Sequence, residues 1–205
     1  MKIPKHIGII PDGNRRWASD NGYEKKDGYS HGLEPGLILL RQAKKHGINE
    51  ITFYGFTADN CKRPKEQFKA FQKACVDAVE LIANEDVSLR VIGNTKSSCF
   101  PKELLKYAKS RTEGTDKIKV NFLVNYDWKW DVESLKTEGK IHSADISRVD
   151  LIIRWGGMRR LSGFLPIQSV YADFYVEDTF WPDLEEQHFE NALSWYSKQD
   201  VTLGG

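Results

Sequence analysis

The sequence predicts a single α/β domain with a mostly parallel central sheet flanked by helices. Short apolar runs alternate along its 205 residues with longer segments in which apolar residues recur every three or four positions. This alternation is typical of parallel sheets joined by crossover helices. The length suits one domain, and the 40% of hydrophobic residues are enough to bury a substantial core. With no internal repeat or linker in view, we predict one domain over residues 1–205.

Five apolar runs predict the strands and five segments predict the helices. The strands are predicted at residues 7–10, 51–56, 89–92, 118–124 and 150–154. The helices are predicted just after residue 13 and at 33–46, 65–83, about 101–111 and 184–197. The polar stretch 133–148 shows the weakest pattern, and we expect a surface connection or a short helix there.

Composition and charge narrow the function. Thirty basic residues against twenty-nine acidic ones give a net charge of +1, whereas nucleic-acid-binding domains usually carry a basic excess, so we expect no nucleic-acid partner. Cys61, Cys75 and Cys99 lack the CxxC spacing of a zinc site, and their odd number argues against a disulfide framework. No apolar run approaches the ~18 residues of a membrane span. We therefore expect a cytoplasmic protein with at most peripheral membrane contact.

A polar segment follows the first predicted strand, at residues 11–17 (PDGNRRW). Ligands of open α/β sheets bind beyond the carboxyl ends of strands, and the N–H groups at a helix start attract phosphate. Gly13 allows a tight turn, and Arg15 and Arg16 carry fork-shaped donors that match phosphate oxygens. Asp12 fits among these donors if it binds Mg²⁺ that bridges the phosphates. The alternative is a capped turn with solvated arginines.

Two further polar segments follow later strands. Residues 56–64 (FTADNCKRP) offer hydroxyl, amide and guanidinium groups, although an ordinary connection would look the same. Residues 154–162 (RWGGMRRLS) combine two glycines with three arginines and a serine. This pattern predicts a diphosphate cradle in which the glycine N–H groups face the phosphate. A solvated basic loop is the alternative.

Together these segments resemble the cis-prenyltransferases, the Z-type isoprenyl diphosphate synthases that include undecaprenyl diphosphate synthase. The motifs are HIGIIPDGNRRWA, ITFYGFTADNCKRP, DLIIRWGGMRRLSGFLPIQSVYADFY and FWPD, and the resemblance runs from residue 6 to about residue 200. It implies a single α/β domain with a hydrophobic substrate tunnel between sheet and helices. It also implies a homodimer, Mg²⁺ as cofactor, and small isoprenoid diphosphates as substrates.

The resemblance implies roles for individual residues. Asp12 is expected to bind Mg²⁺, and Asp173 stands where a glutamate usually completes the metal site. The implied catalytic residues are Asp12, Asn14 and Asn60. The implied substrate-binding residues are Gly13, Arg15, Arg16, Trp17, Lys25, Thr57, Arg63, Arg154, Arg160 and Ser162.

Several residues depart from the usual family pattern. Met158 replaces the glutamate after the Gly-Gly pair, and Trp155 replaces a small hydroxyl residue, which predicts a tighter, more apolar pocket. Arg15, Tyr29 and the missing glutamate are shared with an irregular branch that includes cyclolavandulyl diphosphate synthase, which joins two dimethylallyl diphosphates head to middle. Residues 200–205 keep the glycines of the usual ending but lack its arginines.

The predicted function is therefore Mg²⁺-dependent condensation of dimethylallyl or isopentenyl diphosphate, with a C10–C15 allylic primer as a further candidate substrate. Phe68 and Phe71 on the main helix favour a short product, on the order of two to four isoprene units. Head-to-middle coupling of two dimethylallyl diphosphates is the alternative. A catalytically silent partner subunit is a third reading, against which the retained Asp12, Asn14 and Arg16 argue.

Overall fold

The centre of the structure is a parallel β-sheet. The computed structural model describes residues 1–113 and 118–200. Its strands are β1 (His6–Ile10), β2 (Glu50–Thr57), β3 (Ser88–Ile92), β4 (Lys119–Tyr126), β5 (Leu151–Arg154) and β6 (Asp173–Val176). Within the described ranges these six strands pair in the order β3-β4-β2-β1-β5-β6, with every neighbouring pair parallel.

Helices connect the strands and cover the sheet. The α-helices are α1 (Asn14–Asp20), α2 (Leu33–Lys45), α3 (Lys65–Ala83), α4 (Leu105–Lys109), α5 (Trp128–Glu138) and α6 (Glu186–Tyr196). Short 3₁₀ helices lie at Asp27–Gly32, Ala58–Lys62, Lys102–Leu104 and Trp181–Asp183. In the part of the chain that the structure describes, no helix is both long enough and apolar enough to cross a membrane.

Two elements were not predicted as the structure has them. Helix α5 begins at Trp128 after the capping residue Asp127, whose carboxylate accepts a hydrogen bond from the Lys129 N–H at 2.8 Å. It buries Asp131 and Ser134 where most helices bury apolar residues, so an apolar period is missing. Strand β6 has only four residues, all partly exposed, at the edge of the sheet. A short edge strand leaves too little pattern to detect.

The sheet is buried on both faces. One face packs against α2, α3 and α6, and its core includes Ile7, Ile9 and Phe53. On the other face Phe164, from the long β5–β6 connection, lies against Gly8, where a methyl group would come within 2.5 Å of the ring. Burial on both faces explains why the strands read as continuous apolar runs.

A buried polar cluster lies near the amino end of the sheet. His6 Nε2 and the Thr52 hydroxyl are 2.9 Å apart, and Asn121 Nδ2 donates to the same hydroxyl at 3.0 Å. The Glu50 carboxylate accepts from Asn121 at 2.7 Å and from the Ser147 hydroxyl at 2.6 Å. Burial lowers the pKa of His6 below its usual value, against an opposing effect of Glu50. The neutral imidazole is therefore the form that the fold favours.

Candidate active site

The first polar loop joins β1 to α1 at the carboxyl edge of the sheet. Gly13 has φ +105°, and a methyl group there would lie 2.6 Å from the Phe180 ring. Both the left-handed backbone and the close ring require glycine. Asn14 is the first residue of α1 and its Nδ2 donates to the Pro11 carbonyl at 3.1 Å, so it braces the loop.

The Asp12 carboxylate is held between two arginines. Its Oδ2 accepts a hydrogen bond from Arg154 Nη2 at 2.7 Å, and its Oδ1 lies 3.4 Å from Arg16 Nη2. Oδ1 also accepts from the Gly13 N–H at 2.6 Å. The side chain is about one third exposed and faces a cleft. A carboxylate in this position is fixed in direction while still open to a ligand.

Arg154 organises the third polar loop from the end of β5. It is 4% exposed, and besides Asp12 it donates to the Arg160 carbonyl and, at 3.0 Å, to the Ser162 hydroxyl. Its Nε is buried and has no hydrogen-bond partner within the described residues. Most of its hydrogen-bonding capacity thus goes to placing Asp12, Arg160 and Ser162.

One part of the predicted diphosphate cradle is wrong, namely that the Gly156 and Gly157 N–H groups face the ligand. The Gly156 N–H donates to the Thr179 carbonyl at 2.9 Å and the Gly157 N–H donates to the Glu177 carbonyl at 3.0 Å. Both donors are therefore used by the backbone that follows β6 and are not available to phosphate. Gly156, with φ +81°, instead leaves room for the Arg16 guanidinium, which donates to its carbonyl at 2.8 Å.

The second polar loop is a 3₁₀ turn closed by its own side chains. Asn60 Oδ1 accepts from the Thr57 N–H at 2.9 Å, which completes a capping box. Beyond the turn, Arg63 lies over the Phe71 ring, 4.6 Å from its centre, and donates to the Tyr29 hydroxyl at 2.7 Å. Burial lowers the pKa of Arg63 and raises the pKa of Tyr29, but neither shift alters their charges near neutral pH.

Two polar clefts open along this edge of the sheet. The α1 cleft, about 460 Å³, is lined by the start of α1 and by Lys25 and Tyr29. The α5 cleft, about 810 Å³, lies between the Ala58–Lys62 turn, the start of α5 and the loop that carries Arg160. Asp12 and Arg63 line both clefts, so the two spaces meet at these residues.

Most of the predicted site residues line one of the two clefts. The α1 cleft contains Asp12, Gly13, Asn14, Arg15, Arg16, Lys25 and Arg63. The α5 cleft contains Asp12, Thr57, Asn60, Arg63, Arg154, Arg160 and Ser162. Trp17 lines neither cleft, because its indole donates to Asp183 at 2.6 Å and packs 4.5 Å from the His31 ring.

Asp173 is also not brought to the site. Asp173 begins β6 and pairs with Leu151, the first residue of β5. Ile10, two residues before Asp12, pairs with Arg154, which lies three residues beyond Leu151 on β5. Three residues of extended chain span about 10 Å. The two carboxylates are therefore too far apart to bind one metal ion within a single chain, and the assignment of Asp173 to the metal site stays a prediction.

The donor set still suits Mg²⁺. Within the described residues no three His, Cys, Asp or Glu side chains group as a metal cage. Mg²⁺ commonly needs only one or two carboxylates and takes its other ligands from substrate phosphates and water. Asp12, directed by two arginines and facing both clefts, offers such a carboxylate.

A comparison with models of known protein families shows which family this chain belongs to. The Prenyltransf family model, that of undecaprenyl diphosphate synthase, matches residues 10–204. This chain belongs to the undecaprenyl diphosphate synthase family. The resemblance drawn from the motifs is therefore confirmed, as is the prediction of a prenyl-transferring enzyme.

Similar proteins span nearly all of this prenyltransferase. Ditrans,polycis-undecaprenyl-diphosphate synthases ((2E,6E)-farnesyl-diphosphate specific) from Pectobacterium atrosepticum and Escherichia coli K12 are 32% and 30% identical to it. Each comparison covers 98% of this chain and 90% of the relative.

Solved structures share the fold. Lavandulyl diphosphate synthase from Lavandula x intermedia, in complex with dimethylallyl diphosphate, superposes with a TM-score of 0.82 at 21% identity, over 99% of each chain. A probable undecaprenyl diphosphate synthase from Campylobacter jejuni gives 0.78 at 23% identity, over 100% of each chain. The predicted single α/β domain with a parallel sheet is confirmed.

Next to the clefts, the prenyltransferase has a small apolar crevice between the sheet and helices α2 and α3. It measures about 80 Å³, and its apolar walls include Phe53, Phe71, Cys75 and Phe122. It lies where the resemblance implies a hydrophobic tunnel, but it is far below the ~300–1,000 Å³ of ordinary ligand pockets.

One predicted pocket wall is misplaced. Trp155 is fully buried and packs edge-on against Trp181, with ring centres 5.0 Å apart, and it lines neither cleft nor the crevice. The expectation that Trp155 narrows the substrate pocket is therefore wrong. Its bulk fills the core behind the site.

Sequence reasoning also missed one wall of the α5 cleft. Tyr126 is the last residue of β4, Asp127, Trp128 and Lys129 follow it, and all four line this cleft. The available signal was the same as for the other loops, namely polar and aromatic residues directly after a strand at the binding edge.

Proposed function

We propose that this prenyltransferase joins two short isoprenoid diphosphates, one bound in each cleft. The observation that carries the proposal is that two cationic clefts meet at Asp12 and Arg63. A carbon–carbon bond between two substrates requires their reacting atoms to lie about 3–3.5 Å apart. Two anchored diphosphates whose hydrocarbon parts converge on a shared wall meet that requirement.

The α1 cleft suits the allylic substrate, whose diphosphate leaves. Arg15, Arg16 and Lys25 line it and supply positive charge, and Asp12 faces it. Mg²⁺ held by Asp12 and the diphosphate oxygens would neutralise the charge that develops on the leaving group. In this chain, Arg16 and Arg154 keep the Asp12 carboxylate aimed at the cleft.

The α5 cleft suits the second substrate. Arg160 and Ser162 offer a guanidinium and a hydroxyl, and Arg154 fixes the loop on which both lie. At the junction of the two clefts, Phe71 and Arg63 form a stacked wall. Such a wall keeps water from the allylic cation until the double bond of the second substrate attacks it, and from the cation formed by that attack until it loses a proton.

We propose a short product. The crevice of about 80 Å³ next to the clefts offers little room for a growing chain, and Phe71 stands at its mouth. A second candidate, head-to-middle coupling of two dimethylallyl diphosphates, rests on Met158, which replaces the family's usual glutamate. The Met158 sulfur lies 3.5 Å from Arg160 Nη1, and among the described residues no carboxylate forms an ion pair with Arg160. Both clefts could then accept the same kind of substrate.

We propose a homodimer that works in the cytosol. Ile167, Val170 and Tyr171 are exposed and precede the edge strand β6, an apolar surface of the kind that subunit interfaces cover. Free thiols at Cys61 and Cys99 fit a reducing compartment. Sedimentation equilibrium of wild type and Val170→Glu tests the dimer. A wild-type monomer would refute it.

Product analysis tests the reaction. The purified chain is incubated with Mg²⁺ and dimethylallyl diphosphate, with or without isopentenyl diphosphate, and dephosphorylated products are identified by mass spectrometry. We expect short products that disappear in excess EDTA. Activity in EDTA would refute the Mg²⁺ assignment, and a ladder reaching long polyprenols would refute the short-product proposal. Product from dimethylallyl diphosphate alone would select head-to-middle coupling.

A further inference from the structure

We infer that Trp128 and Lys129 determine specificity for the second substrate. Lys129 would bind its diphosphate and Trp128 would cover its short hydrocarbon part. The inference rests on the proposed function, because it takes the α5 cleft as a prenyl diphosphate site. It adds to that site the wall formed by the start of α5, beside the loop that carries Arg160 and Ser162.

The start of α5 places both side chains on the cleft. Asp127 is the capping residue, and its carboxylate accepts from the Lys129 N–H at 2.8 Å, which fixes the first turn. Trp128 and Lys129 line the same cleft as Arg160 and Ser162. Two loops from different strands therefore face one ligand-sized space.

Trp128 connects the α5 wall of the cleft to the loop that carries Gly163. Its Cδ1 atom lies so close to Gly163 that a methyl group on that glycine would be 2.8 Å away. The indole is nevertheless 44% exposed. An aromatic ring that is packed on one side and open on the other gives a short hydrocarbon a rigid surface to cover. Because the ring also closes the cleft against Gly163, it limits the length of the chain that fits.

Lys129 is a cation without a carboxylate partner in the part of the chain that the structure describes. Of the other cations in the cleft, Lys62 is paired with Asp59 at 2.6 Å and Arg154 is paired with Asp12. The Lys129 ammonium instead lies 5.8 Å from the centre of the Trp128 ring. Together with Arg160, it leaves positive charge on the cleft wall that a diphosphate can neutralise with charge-assisted hydrogen bonds.

Steady-state kinetics with each substrate varied in turn test Lys129. For Lys129→Ala we expect the KM of the second substrate to rise about 10- to 100-fold, the loss typical of one charge-assisted bond. The KM of the first substrate and kcat should change little. Lys129→Arg should recover most of the affinity. The control is Lys136→Ala, an exposed lysine on the same helix that lies outside both clefts and should match wild type.

Second substrates of increasing chain length test Trp128. Trp128→Ala should use longer chains more readily relative to short ones, by about 10-fold or more in the kcat/KM ratio, and Trp128→Phe should stay near wild type. An unchanged ratio in Trp128→Ala would overturn the role of this ring.

Calorimetric binding of inorganic pyrophosphate distinguishes a failure of the proposed function from a failure of the role assigned to Lys129. If wild type neither turns over nor binds pyrophosphate, the proposed function fails. If wild type turns over and Lys129→Ala keeps the wild-type KM for the second substrate, only the inference fails. If wild type binds pyrophosphate without turnover, weaker binding by Lys129→Ala than by Lys136→Ala supports the inference, and equal binding overturns it.

Discussion

Replacing Asp12 by alanine should cost stability as well as activity. Arg154 is 4% exposed, and the Asp12 carboxylate is its ion-pair partner at 2.7 Å. Its remaining bonds go to the Arg160 carbonyl and the Ser162 hydroxyl, which are uncharged acceptors. Alanine would therefore leave a buried guanidinium without a counter-charge.

The size of the effect follows from the burial of the pair. Removing one partner of a fully buried pair costs about 3–5 kcal/mol. The Asp12 side chain is 32% exposed, so water can partly replace it, and we expect about 2–3 kcal/mol. For a chain of this size each kcal/mol lowers the melting temperature by about 2–4 °C, which predicts a drop of about 4–12 °C.

Thermal and urea unfolding, followed by circular dichroism, measure this loss. The matched control is Asp59→Ala. Asp59 also pairs with a cation, Lys62, at 2.6 Å, but both side chains are more than 80% exposed. The melting temperature of the Asp59→Ala variant should therefore stay near that of wild type. Asp12→Asn keeps an oxygen for Arg154 and should retain much of the stability while losing turnover.

Equal melting temperatures for Asp12→Ala, Asp59→Ala and wild type would refute the reasoning. Such a result would mean that Arg154 reaches water or another acceptor without rearrangement. A stable, inactive Asp12→Asn together with a destabilised Asp12→Ala would support both the buried pair and the catalytic role.

Three further predictions concern the fold around the site. Gly93→Ala should unfold the chain or lower its melting temperature sharply, because a methyl group would overlap the Val124 carbonyl oxygen, whereas Gly36→Ala, with open space inside α2, should stabilise it slightly. Burial lowers the pKa of His6, so the unfolded chain binds a proton more readily. The contribution of the neutral His6 to the free energy of unfolding should be complete above pH ~6.5 and should decline as the pH falls below that value. In His6→Gln the melting temperature should change less with pH over this range. Burial raises the pKa of Cys75 to about 12, so iodoacetamide at pH ~8 should alkylate Cys99 well before Cys75 until urea exposes the latter, as peptide mass spectrometry would show.

Local pattern was sufficient for most of the secondary structure. The predicted helix at 65–83 agrees with α3, and the predicted helix at 33–46 agrees with α2 to within one residue, with Gly47, at φ +70°, two residues beyond its end. Both outcomes depend on interactions within one element, the apolar period of a helix and the backbone freedom of glycine. Where burial was polar, as at Asp131 in α5, that local signal was absent, and a short helix was only one of two expectations for residues 133–148.

The sequence alone also indicated three of the loops that line the two clefts, but not the loop after β4. Three of the polar segments lie at the carboxyl ends of β1, β2 and β5, and parallel strands bring those ends to one edge. The motif order was sufficient to recognise the family, since the residues of each motif are contiguous in the sequence.

Only the tertiary structure decided which groups meet. The register of β5 and β6 separates Asp173 from Asp12, and the backbone after β6 takes the N–H groups of Gly156 and Gly157. Trp155 likewise lies in the core because it packs against Trp181, whereas Trp128 lies on the wall of the α5 cleft. Strand register and hydrogen-bond partners are set by contacts between residues far apart in the chain, so no local pattern could show them.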